Sequence, residues 1–335
     1  MDPLVPDADA AAAIAETATG RKVLGVSRFT TGAQHYVFEA LFADGAPVVV
    51  RMSRAAGAAI ALGASSLSRQ LRPLGVPLPA IIAEGFEPPF PFMVLERLPG
   101  TDLGRVIGRL SEPQLHAVAG KIAAAQAIVA ATPSAGRYGY AATPETAPRE
   151  RWSAVLDGSI ARSLSRIVAI GLFDPSVAEA AQGLLAARRD EADAQPAVPF
   201  LHDTTVKNVI VTEAGGFSGI VDVDDLCFGD PRWVVALTLA AITAFGGNAA
   251  YVAAWMRIAG HPDDRLFRLY VALFLLDFMA EQGQVFNGNQ RASTTVERRR
   301  LLGLFEAAVQ RAGGYPSADG PRTRCPRPRG STGSP

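Results

Sequence analysis

Three short runs of β-type residues, VLGVSRF, HYVFEALF and APVVVRM, crowd into the stretch from Val23 to Met52. The first two are joined by Thr30-Thr31-Gly32-Ala33-Gln34 and the last two by Ala43-Asp44-Gly45. Asp-Gly between apolar alternations is a strong hairpin signal, so a small antiparallel sheet is expected. Residues 55–72, rich in Ala, Leu and Ser, read as a helix ended by Pro73. The segment LGVPLPAII then leads to a further strand, PFMVLERL, and Pro99-Gly100 reads as a turn or hinge that closes the unit.

Past that hinge the character becomes helical. Ser111-Glu112-Pro113 has the form of an N-cap and first turn before a long Ala-rich helix, and further helices fit 148–170, 175–190, 232–245, 248–259 and 263–285. Between them, PFLHDTTVKNVIV and GFSGIVDVDDLCFGDP form a β-type island with a Gly-Gly turn. At 335 residues and 49% hydrophobic, the chain can bury a sizeable core and is long enough for about two domains. They are placed at 1–98, with the Ala-rich start as a leading helix, and at 99–316. The tail 317–335, rich in Pro, Gly, Ser and Arg, has nothing with which to build a core and is expected to be disordered.

Thirty-two basic residues balance thirty-two acidic ones, so no global field draws the chain toward nucleic acid or anionic lipid. Cys227 and Cys325 offer neither a disulfide framework nor a metal-type spacing, and suit a reducing interior. The start is acidic and lacks the basic and apolar regions of a secretion signal. The longest apolar run, Trp233 to Phe245, is too short to span a bilayer, and LYVALFLLDFMA is interrupted by Asp277. A cytoplasmic location is expected, with no nucleic-acid or membrane partner; the oligomeric state is open.

The stretch that carries chemistry is Leu201-His202-Asp203-Thr204-Thr205-Val206-Lys207-Asn208, followed by Ile220-Val221-Asp222-Val223-Asp224-Asp225 and by Gly229-Asp230-Pro231. Phosphoryl transfer needs a carboxylate beside the acceptor hydroxyl and oxygen ligands for the Mg²⁺ that neutralises nucleotide phosphates. Asp203 can supply the first. Asn208, across a tight loop, and Asp222, on the neighbouring strand, can supply the second, because a hairpin brings their oxygens together. An isolated Asp-to-Asn pair is usually a loop or cap. Its weight here comes from Asp222, the Gly-Asp-Pro turn and the hairpins standing in the right order.

This arrangement resembles the aminoglycoside phosphotransferase and related small-molecule kinase families, in which a loop of the type H-G-D-x-x-x-x-N precedes a strand ending I-D-x-x-D and a G-D-P turn. The resemblance runs from about Val23 to Gln290. It implies an α+β, protein-kinase-like two-lobed fold, with a small antiparallel β-sheet N-lobe and a larger, mostly helical C-lobe. It further implies ATP or GTP as phosphoryl donor and Mg²⁺, with Asp203 catalytic and Asn208 and Asp222 as metal ligands. Thr31 and Gly32 would lie in the hairpin over the phosphates, Arg51 would grip phosphate from the end of the third strand, and the backbone from Glu96 to Leu98 would meet the base. The implied reaction moves the γ-phosphate to a hydroxyl of a small molecule, an aminoglycoside- or macrolide-type antibiotic or a metabolite. A protein kinase proper matches less well, since Asp-Val-Asp stands in place of Asp-Phe-Gly.

Some positions depart from the family pattern. No acid stands near Ala64 to Ser66, where the partner of Arg51 is expected, so either Arg51 is held otherwise, by Asp222 or the phosphates, or turnover is slow. Leu201 replaces a His and Val234 an Asp, which would exchange a buried polar support for an apolar contact if the two pack together. Asp277 and Glu281, one turn apart on an apolar helix, share a face that could receive a cationic substrate group, or form a solvated edge or capped core acid. One of Asp224 and Asp225 is expected to assist the metal and the other to face solvent. His202 reads as a structural or loop-orienting residue. Two rival functions stand beside transfer: a kinase-like module that binds nucleotide or ligand with little or no turnover, and a metal phosphohydrolase built around His202-Asp203.

Overall fold

The computed structural model of the chain describes residues 5–29, 35–286, 289–290 and 293–313. Thr31 and Gly32, expected over the phosphates, and the tail from Ser317 lie outside the described residues. Helix α1 (Ala8–Thr19) starts where the Asp7 carboxylate accepts from the Ala10 amide, satisfying one of the orphan donors of its first turn. The β-branched and aromatic runs then form β1 (Val23–Phe29), β2 (Tyr36–Phe42) and β3 (Val48–Met52). After α2 (Ala58–Leu71) come β4 (Ile81–Gly85) and β5 (Phe92–Glu96). The five strands make one antiparallel sheet in the order β1-β2-β3-β5-β4.

Side chains alternate across this sheet, and the two faces are used differently. Tyr36, Phe38, Ala40, Val48, Val50, Met52 and Val94 are buried against Ala11 and Ala15 of α1. Register places Val37 beside Arg51 and Arg51 beside Met93, with Glu39, Val49 and Leu95 in the next row, all on the opposite face. Helix α2 does not join that small core. Its Leu67 and Leu71, with Val76 and Leu78 behind them, belong to the large core of the rest of the chain.

The hinge is a tight passage. Gly100, at φ 105, lies where a Cβ would come within 1.9 Å of the Val211 carbonyl oxygen, so only glycine fits. Beyond it lie β6 (Thr101–Asp102), α3 (Leu103–Val106), α4 (Glu112–Ala130), β7 (Gly139–Ala141), α5 (Trp152–Ile170), α6 (Val177–Ala186) and α7 (Arg189–Asp193). Ser111 and Gln114 start α4 with a reciprocal capping box. Next come β8 (Val198–Phe200), β9 (Val209–Val211), β10 (Phe217–Ile220) and β11 (Leu226–Gly229), then α8 (Arg232–Phe245), α9 (Ala250–Ala259) and α10 (Arg265–Ala280). The two-residue strands β12 (Val285–Phe286) and β13 (Asn289–Gln290) pair before α11 (Thr295–Gly313).

The β-type island is two sheets rather than one, β10-β9-β6 and β7-β11-β8. The chain changes sheet between β10 and β11, and that connection carries Asp222, Asp224 and Asp225. The helix expected over 263–285 ends at Ala280. Helix α11, not expected from the sequence, packs on α10 through Leu301, Phe305, Ala308 and Ala312. Among the described residues no helix is long and apolar enough to cross a membrane.

Candidate active site

Between β8 and β9 the chain makes the loop 201–208, and its shape is fixed from beneath by Gln126 of α4. The Gln126 amide nitrogen donates to Leu201 O at 2.8 Å and Thr204 Oγ1 at 2.9 Å, while its oxygen accepts from Leu201 N at 3.0 Å. Asn208 closes the far end, its Nδ2 donating to Asp203 O at 2.9 Å, which leaves Oδ1 as the atom able to ligate a cation. Val221 N donates to Asn208 O at 2.9 Å, drawing the chain past β10 alongside the loop. Asp222 follows at φ 64, the one non-glycine residue with positive φ among the described residues. That left-handed turn takes Asp222 out of the strand, so it stands two residues beyond β10 rather than on it. Asp203 and Asp222 thereby line one small recess, together with His202 and Asp225.

Arg51 and His35 reach the site from the sheet side. Arg51, 6% exposed, places Nη2 3.0 Å from Asp222 Oδ1 and in a shorter contact with Asp224 Oδ1. His35, equally buried, bonds Ser53 Oγ through Nδ1 and Asp224 Oδ2 through Nε2, both at 2.9 Å. Arg51 therefore is held by the 222–225 loop. Helix α2 contains no acid at all, and its Ser65 bonds Glu84 of β4. The carboxylate oxygens of Asp222 and Asp224 and the His35 nitrogen lie within 4.8 Å of one another, close enough for one metal ion. The two carboxylates of this set are the oxygen donors that a hard divalent cation such as Mg²⁺ takes.

Burial pushes the Asp203 carboxyl up to about 6; the neighbouring His202 opposes this and the Asp222 charge adds to it. Burial also acts against the Asp224 anion, yet His35 and Arg51 outweigh it and hold Asp224 below the usual carboxylate range. His202 is raised despite its burial, because Asp225 accepts its Nε2 at 2.5 Å. The His202 ring also meets the edge of Tyr140 at 4.8 Å. This supports the loop-orienting reading of His202. Asp224 and Asp225 are both engaged, one with the sheet and one with His202, so neither simply faces solvent.

Asp277 accepts from Ser163 Oγ of α5 at 3.0 Å and lies 3.7 Å from Arg166. The Tyr140 hydroxyl accepts from Trp233 Nε1. Glu281 stands just past the end of α10. At the hinge, Glu96 bonds Ala80 through its amide and its side chain, and Leu98 O accepts from Arg97. Arg97 also bonds Glu39 at 2.7 Å and Gly100 O, so it spans the hinge. Leu201 and Val234 are both fully buried in the large core, and Gln126 bonds the Leu201 backbone there. Gln126, Arg97 and Tyr140 escape a reading by motif. The signals present were an amide in the later half of an Ala-rich helix and a cation inside the hinge.

The sequence matches the phosphotransferase enzyme family over residues 25–270. A comparison with curated proteins gave no match. Among solved structures, a thermostable form of the aminoglycoside phosphotransferase APH(4)-Ia without ligand is similar, with a TM-score of 0.67 at 18% identity over 90% of this chain and 99% of that one. The same protein in a ternary complex with ADP and hygromycin B gives 0.65 at 18% identity, covering 90% and 98%. A putative fructosamine-3-kinase from Thermobifida fusca gives 0.61 at 19% identity, covering 91% and 100%. With the loop, the two carboxylates and the sheet-borne arginine in this arrangement, and the match spanning well over half its length, the chain belongs to the phosphotransferase enzyme family and is a small-molecule kinase of α+β, protein-kinase-like fold.

Proposed function

We propose that the chain moves the γ-phosphoryl group of ATP or GTP to a hydroxyl of a small molecule, with the acceptor an amine-bearing antibiotic or a metabolite. One observation carries the reading: Asp203 and Asp222 share a recess, and Arg51 is bonded to Asp222. In this reading residues 1–98 hold the nucleotide and 99–316 hold the acceptor and the catalytic carboxylate, in a cytoplasmic protein. A structure of similar fold, an aminoglycoside phosphotransferase, is a ternary complex with ADP and hygromycin B, which supports a nucleotide donor and a small-molecule acceptor.

Asp203 orients the acceptor hydroxyl and takes its proton as the new oxygen–phosphorus bond forms, while the bond to the nucleotide's bridging oxygen breaks. Asn208 Oδ1 and Asp222 would hold a magnesium ion, which would supply charge neutralisation of the phosphates. Arg51 meets phosphate from the sheet side, and the hinge from Glu96 to Leu98 faces the base. Asp277 and Glu281 receive the acceptor's cationic group.

Nucleotide consumption against a panel of hydroxyl compounds, with Asp203→Ala as control, tests this. Acceptor-dependent consumption lost in Asp203→Ala is expected. Consumption without any acceptor would instead mark a phosphohydrolase. The acid-free α2 favours a second reading, a kinase-like binding module, which would show a nucleotide-dependent thermal shift and no consumption with any acceptor.

A further inference from the structure

Arg51 is held in an incomplete way. Its Nη2 reaches both Asp222 and Asp224, while its Nε is buried without a hydrogen-bond partner. A buried donor left unpaired is costly, and folded proteins rarely keep one unless a ligand completes it. The acceptor that the proposed nucleotide brings is a phosphate oxygen, which a guanidinium binds well. The same guanidinium sits among the oxygens that could hold a divalent ion, and two cations repel strongly at such separations.

We infer that Arg51 gates the metal seat: without nucleotide its guanidinium fills the space at Asp222 and Asp224, and a divalent ion enters only with a nucleotide whose phosphate draws the guanidinium away. The inference rests on the phosphotransferase reading of this site and deepens it. His35 makes the gate reversible. Because its ring is fixed between Ser53 and Asp224, the Asp224 carboxylate keeps its place on the sheet side when Arg51 leaves. The positive charge therefore changes its anion, from carboxylate to phosphate, and Asp222 is released to the metal at that moment. While Arg51 bonds both carboxylates the seat holds free metal poorly, so the metal–nucleotide complex is the species that loads.

Titration of the nucleotide-free protein with Mn²⁺, read from the paramagnetic resonance signal of the free ion, tests the gate. Wild type should take up Mn²⁺ weakly, whereas Arg51→Gln should bind it about tenfold or more tighter, since two carboxylates then lose their only guanidinium. Adding Asp224→Asn to that variant should remove the gain. Arg51→Lys, which keeps the charge, should stay near wild type, and Arg51→Met serves if the glutamine variant does not fold. Equal Mn²⁺ affinity in wild type and both neutral variants overturns the gate and leaves the transferase reading intact. A wild type that takes up no Mn²⁺ even with ADP overturns the transferase reading, while a gain in Arg51→Gln would still uphold the guanidinium's hold on the seat.

Discussion

The sheet and the helical region spend their side chains differently. The sheet commits one face to a small core under α1 and leaves the other, with Val37, Arg51 and Met93, turned away from it. The helical region buries Trp152, Trp233 and Trp255 at its centre and brings its acids to the loops that leave β8 and β10. The Arg51 guanidinium thus comes from one region and the carboxylates that it bonds from the other. Such a division suits a ligand that itself carries both signs, a polyanionic nucleotide with a divalent metal, because each region meets the charge it complements.

If that division holds, removing a carboxylate of the helical region should stop chemistry without releasing nucleotide. Asp203→Ala is expected to lower kcat by about 10²–10⁴-fold, the range of a positioned general base, with nucleotide affinity within about twofold. Steady-state kinetics beside a nucleotide-binding titration would check it. A comparable loss of nucleotide affinity would break the comparison. Next in size comes the support behind the carboxylates. Asp230 accepts from Arg232 Nε and Nη2 and from Tyr270 OH, and Tyr270 in turn accepts from Trp152 Nε1. Asp230→Ala leaves a buried guanidinium short of its main partner and should cost about 3–5 kcal/mol in denaturant unfolding.

What the sequence discloses follows how local each feature is. The hairpins, the hinge glycine and the Asp203-to-Asn208 interval are set by neighbours within a few residues, and the structure has them where their motifs stand. Gly229 belongs with them: a Cβ there would press within 2.3 Å of Trp152, so the Gly-Asp-Pro turn is a packing requirement as well as a motif. The partners of these features are distant. Gln126 lies 75 positions before Leu201, and Arg51 lies 173 positions before Asp224. No periodicity reports which amide or acid the folded chain brings to such a place. Helix α11 is obscured for another reason, since three consecutive arginines precede Leu301 and blur its apolar stripe.

The contact between the two regions should be measurable by itself. Asp224→Asn keeps the shape but removes the charge that Arg51 and His35 share, and is expected to cost about 1.5–3 kcal/mol at pH 7, the range for hydrogen bonds to charged groups. The folded-state carboxyl of Asp224 is depressed, so its contribution is present above the unfolded carboxylate range and is lost as pH falls through the folded value. The difference between wild type and variant should therefore narrow below about pH 4. A difference that stays constant from pH 7 to about pH 3 would mean that charge is not what joins the regions.

The smallest effect expected comes from an ion pair of better geometry than most. Arg189 donates from Nη1 and Nη2 to both oxygens of Asp157, at 2.8 and 3.1 Å. Its form matches the Arg232–Asp230 pair, but its side chains are 42% and 47% exposed against 7% and 3%. Water already solvates these charges, so Coulomb attraction is weak and ordering two long side chains offsets part of it. Asp157→Ala should change unfolding free energy by less than about 1 kcal/mol, and added salt should erase the difference. A loss equal to that of Asp230→Ala would show that burial is not what separates the two pairs, and the weight given to the buried acids of the helical region would fall with it.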